Sequence, residues 1–242
     1  MKLKTIFWIT VFAVSMGYFE SAIVIYLRQV VYPGGFTFPL KPIAQNLAIT
    51  EIIREAFSLL MLLSVSILAG KSAIRSFAYF LFSFAVWDIF YYVFLKLLID
   101  WPESLMTMDI LFLLPVTWIG PVITPLILTV LMIIFALLML YFSSCDEQAT
   151  LKPHERLILI LGALTVIVSF TADYTNFILA HYSLGQIWSL PTKSLFELSV
   201  EYYPENFYWS VYWVGVIIIL TGIGLFTYRN TLRTKQTKRG DL

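Results

Sequence analysis

The segment Val122–Phe142 reads VITPLILTVLMIIFALLMLYF without a single charged side chain, and no other feature constrains the fold as strongly. A helix rising about 1.5 Å per residue needs about 20 apolar residues to cross the ~30 Å hydrocarbon core of a bilayer. Five further segments reach that length: about Thr5–Leu27, Leu47–Gly70, Ser76–Leu97, Leu157–Ala180 and Trp209–Tyr228. Strands of a membrane barrel would alternate apolar and polar residues over roughly ten positions, and these runs do not. Charged residues make up 13% of the chain, about half the roughly 25% of a soluble domain, and the mean hydropathy is +0.84. The expectation is an all-α, polytopic membrane helix bundle of six spans. It forms one unit over residues 1–228, followed by a basic tail at 229–242.

The N-terminal MKLKTIFWITVFAVSMGYFESA has the look of a secretory signal. Its apolar character resumes after Glu20 and runs through Ile23–Leu27, beyond the roughly 7–15 residues of a signal core. It reads as the first span. Loop charge sets the orientation. With the N-terminus inside, the inner side receives Lys2, Lys4, Lys71, Arg75, Lys152, Arg156, Arg229, Arg233, Lys235, Lys238 and Arg239, eleven of the sixteen basic residues. Both termini are therefore expected in the cytoplasm. The only cysteine, Cys145, excludes an internal disulfide framework.

Three connections stand out. RQVVYPGGFTFPLKPIAQN is rich in proline and glycine and reads as a loop. Thr192–Tyr202 fits a short amphipathic helix lying on the outer surface. WPESLMTMDILFLLPVTWIGP holds an apolar stretch cut by Pro115; it is too short to cross, so it reads as a re-entrant or interface-lying segment before the fourth span.

Ionisable residues inside the spans point to a site. Each costs about 2.5–3.5 kcal/mol at the bilayer centre on insertion scales, so they face the bundle interior or a wet cavity. Counting along the helices puts Glu20, Glu55, Asp88 and Asp173 roughly 18–24 Å from the inner face, one slab in the outer half. Glu51, Arg54 and Glu55 share a stripe on the second helix. Asp88, Tyr91, Tyr92 and Lys96 share one on the third, and Asp173 and Asn176 one on the fifth. Five acids, Glu51 included, face three bases (Arg28, Arg54 and Lys96). Two acids are thus left for protons, water, tyrosines or a bound cation. The same residues also suit a purely architectural network, with Arg54 pairing Asp88 between helices.

Haem is not expected, because His154 and His181 are the only histidines and neither sits mid-span. Zinc is not expected with one cysteine in a loop. An all-carboxylate site would suit a hard divalent cation, which the sequence permits without indicating. No hydrolase, phosphate-loop or dinucleotide motif is present. His154-Glu155-Arg156 after Pro153 reads as a helix start. No nucleic-acid partner is expected. The lipid bilayer is, with a small ligand, an ion or a protein partner at the outer face.

The segments MGYFESAIVIYLR, YPGGFTFPLKPI, FAVWDIFYYVFLK and WPESLMTMDILFLLPVTWIGPVITP resemble a family of uncharacterised bacterial multipass proteins, over about residues 10–140. The resemblance implies a bacterial plasma-membrane protein and no activity. Three functions compete: binding or transport of a small molecule or ion through the outer polar slab, an intramembrane enzyme acting on lipid or isoprenoid substrates, and a non-catalytic assembly or sensor subunit.

Overall fold

A computed structural model describes residues 3–39, 41, 43–114, 116–146, 149–183, 201–204 and 206–240. It contains six long helices: α1 (Leu3–Val31), α2 (Gln45–Ala69), α3 (Ala73–Ile99), α4 (Ile123–Cys145), α5 (Pro153–His181) and α6 (Trp209–Gly240). All six are long and apolar enough to cross a membrane. Only 22–39% of each apolar window is buried in the protein. The outer faces carry Phe7, Trp8, Phe19, Leu68, Val168 and Ile217 exposed. A belt that apolar suits acyl chains rather than water. Six such helices are compatible with a multi-pass membrane protein.

Local chemistry sets the helix ends. Pro153 opens α5, and the Glu155 carboxylate accepts the Lys152 backbone N–H at 2.8 Å, so the expected helix start forms. Asp100 ends α3 in the left-handed region at φ 54° and donates its N–H back to the Lys96 carbonyl, while Trp101 donates to that of Leu95. α6 does not stop at Tyr228 but runs on through the basic segment. Arg229 donates to both Glu155 oxygens at 2.7 and 2.9 Å, and Arg233 meets Asp146 at 2.9 Å. The expected surface helix Thr192–Tyr202 lies almost wholly outside the described residues.

α3 packs against α1, α2 and α4, while α5 and α6 form the closest pair. Small residues allow both approaches. A Cβ on Gly17 of α1 would lie 3.0 Å from the Trp87 carbonyl oxygen and 3.1 Å from the Tyr91 nitrogen, and Ser21, four residues on, donates to the Tyr91 carbonyl at 3.0 Å. Between α5 and α6, Gly162 and Gly215 oppose each other; an added Cβ at either would lie 2.9 Å from backbone nitrogen across the interface. Association in lipid relies on such close backbone packing. The main core joins Ile9, Ala13, Leu62, Phe82, Phe135 and Phe226.

The segment before α4 departs from all-helical order. β1 (Met108–Phe112) and β2 (Trp118–Pro121) pair antiparallel, Met108 opposite Pro121 and Ile110 opposite Ile119. β2 lies against α5, where a Cβ on Gly120 would come within 3.1 Å of Phe170 and Phe207. The hairpin is wedged among the helices, which is how irregular backbone is tolerated at membrane depth.

Candidate functional site

α2 turns Ala48, Glu51, Glu55, Ser58, Leu62 and Ser66 inward. This is the stripe that helical spacing implies, and its outer half is charged. Arg54 bridges two carboxylates: it donates to Glu20 of α1 and, at 2.8 Å, to Glu51. It does not pair with Asp88. Glu55 accepts the Leu113 backbone N–H of the hairpin tip at 2.9 Å. Its other oxygen has no hydrogen bond among the described residues.

A second ionic group lies beside the first. Arg28 of α1 meets Asp109 of β1 at 3.3 Å. Its guanidinium lies 3.8 Å from the Trp101 ring centre and 4.7 Å from that of Phe36, a placement that favours a flat, weakly hydrated cation. Tyr92 donates its hydroxyl to the other Asp109 oxygen at 3.2 Å. Asp109 is 1% exposed. Burial outweighs both the Arg28 charge and the Tyr92 bond, and pushes the carboxyl up to about 6. Burial likewise raises the Tyr32 phenol, which accepts the Lys41 backbone N–H at 2.8 Å.

These groups line a pocket of about 230 Å³, with Arg28, Lys41, Glu51, Arg54, Glu55 and Asp109 as its charged residues and Tyr32, Tyr91, Thr117 and Tyr174 as those bearing hydroxyls. The Lys41 ammonium lies 5.4 Å from the Tyr32 ring centre. Neither it nor the Tyr91 hydroxyl makes an ion pair or hydrogen bond among the described residues. Free donors and a free acceptor therefore meet in one space.

The sequence-derived slab divides here. Glu20, Glu51, Arg54, Glu55 and Tyr91 come together, and Tyr92 joins them through Asp109. Lys96 turns away to the end of its own helix, meeting Asp100 at 2.7 Å and the Pro102 carbonyl at 3.1 Å. Asp173 accepts the Tyr202 hydroxyl at 2.6 Å, and Asn176 donates to Tyr208 at 3.2 Å; both hold the segment leading into α6. From α5 it is Tyr174 that lines the pocket. Asp88 lines a different cavity.

Arg28, Lys41 and Asp109 were not among the expected site residues. Asp109 had a signal in the sequence, a lone acid opening an apolar stretch. Among the described residues no three histidine, cysteine or carboxylate side chains gather as they would to hold a metal ion. No protein-family model, curated protein or solved structure matches the chain.

Proposed function

We propose that this protein binds a small polar ligand in the pocket between α1, α2 and the hairpin, as the recognition step of uptake or sensing from the outer face of a bacterial plasma membrane. One observation carries the reading: the Lys41 ammonium, the Tyr91 hydroxyl and one Glu55 oxygen, all without an ion pair or hydrogen bond among the described residues, line one pocket whose other charged groups are already ion-paired. A ligand with an acidic group and an amine or hydroxyl donor would complete all three. Because Arg28 and Arg54 are held by Asp109, Glu20 and Glu51, they supply a fixed field and need not reorganise on binding.

The orientation belongs to this reading. The helix ends away from the hairpin carry Lys71, Arg75, Lys152, Arg156, Arg229 and Arg233, which favours that end as cytoplasmic. The hairpin then dips into the bundle from outside, and the pocket opens outward.

Native mass spectrometry of protein released from nanodiscs, with elemental analysis of the same sample, tests the proposal. The expected result is a stoichiometric small-molecule adduct that Glu55→Gln or Lys41→Met removes while the fold survives. A bare chain in which these substitutions change only stability would overturn it.

A further inference from the structure

A second cavity, of about 580 Å³, lies behind the hairpin. Leu59 of α2, Phe84 of α3, Phe112 and Trp118 of the hairpin, Met132 of α4 and Phe170 of α5 are among its walls. This volume falls within the ~300–1,000 Å³ of small-molecule sites, which are mostly apolar with a few placed polar groups. In this wall the only charged residue among those described is Asp88. Asp88 has no hydrogen bond or ion pair among the described residues.

An architectural carboxylate would have a partner. The neighbouring cations are committed elsewhere: Arg54 to Glu20 and Glu51, Arg28 to Asp109, and Lys96 to Asp100. An ionised carboxylate bare in an apolar wall is costly, so the group holds a proton unless a counter-charge delivered from outside takes its place. The aromatic rings in the wall, Phe84, Phe112, Trp118 and Phe170 among them, suit a positive centre that reaches a ring face. We infer that this cavity is a binding site for a lipophilic cation, an apolar body whose positive centre pairs with Asp88. The site is distinct from the polar pocket: Tyr91 faces that pocket from three residues along α3, and the hairpin stands between the two, with Leu113 on one side and Leu114 on the other.

Equilibrium dialysis of the protein in nanodiscs against tetraphenylphosphonium, with tetraphenylborate as the anion of the same shape, tests this. Saturable retention of the cation above empty discs is expected, with no such retention of the anion. Asp88→Asn should weaken the cation by about tenfold or more, as loss of a desolvated charge partner does, while Asp88→Glu retains binding. Met132→Trp, which fills the cavity, should abolish it. Glu103→Gln removes an exposed surface charge and should change nothing. Three results would overturn the inference: no saturable uptake of the cation, equal uptake of cation and anion, or undiminished affinity in a folded Asp88→Asn protein.

Discussion

Arg54 stands between Glu20 and Glu51 and pairs with both. Arg54→Met would leave two like charges buried without a counter-ion, and removing one partner of a buried pair costs about 3–5 kcal/mol. Unfolding in mixed detergent measures it. Glu51→Gln added to Arg54→Met should recover part of the loss, whereas a cost below about 1 kcal/mol for Arg54→Met would mean water screens the group as it does at a surface. Asp109 gives a pH signature. Burial pushes its folded carboxyl up to about 6 from the ordinary 3.8, so the folded state holds the proton more tightly than the unfolded chain. The protonated group's contribution is complete below about pH 4 and is lost as pH rises through 6. The difference is on the order of 3 kcal/mol. Stability between pH 4 and 7 should therefore fall with rising pH in the natural protein, and Asp109→Asn should flatten that slope. At this scale the sequence disclosed what lies on one helix: the Glu51, Arg54 and Glu55 stripe follows from spacing alone. The Arg28–Asp109 pair joins residues 81 positions apart, and no local pattern encodes it.

Helix-to-helix distance decides which stripe meets which, and glycine decides the distance. Gly17 lets α1 settle on the Trp87, Phe90 and Tyr91 side of α3. Asp88, about 100° further around the helix, is thereby turned away from α1 and toward the apolar cavity. Depth along the helices placed Asp88 level with Glu20 and Glu55; rotation about the helix axis, which hydropathy does not report, separated them. The same physics gives a contrast within α6. A Cβ on Gly215 would meet the Val166 nitrogen at 2.9 Å, whereas one on Gly224 meets nothing within 4 Å. Gly215→Ala should destabilise by about 1–3 kcal/mol through overpacking. Gly224→Ala should be neutral or stabilising by up to about 1 kcal/mol from helix propensity. Melting of the two variants in one detergent decides it; equal melting points would mean the α5–α6 contact is loose. The six helices were legible because lipid admits little else from apolar runs of that length. The hairpin was not. Its faces are both covered, by Phe170 and Phe207 at Gly120 and by the cavity walls at Leu111 and Phe112, so its sequence lacks the alternation of a half-exposed strand.

In the assembled protein the two ends of the bundle differ in kind. At one end, ion pairs and carbonyl caps bind helix termini together: Arg229 holds Glu155 and the Thr150 carbonyl, Arg233 holds Asp146, and Arg75 donates to Ser143 at the end of α4. At the other end, the hairpin and the loop through Tyr32 and Lys41 surround an open pocket. An ion-paired end opposite a loop-built one suits the proposed ligand site, since binding sites concentrate on loops held by a fixed frame. The function then depends on which way the bundle lies, and the chain carries its own reporter for that. Cys145 closes α4 at the ion-paired end and is exposed. In intact cells it should resist a membrane-impermeant maleimide and react after the membrane is permeabilised. In a Cys145→Ser background, Gly34→Cys, placed in open space on the loop at the pocket end, should react in intact cells. The reverse pattern would put the pocket in the cytoplasm, where its ligand would have to be an intracellular metabolite and the excess of basic residues at the other end would contradict the loop-charge rule.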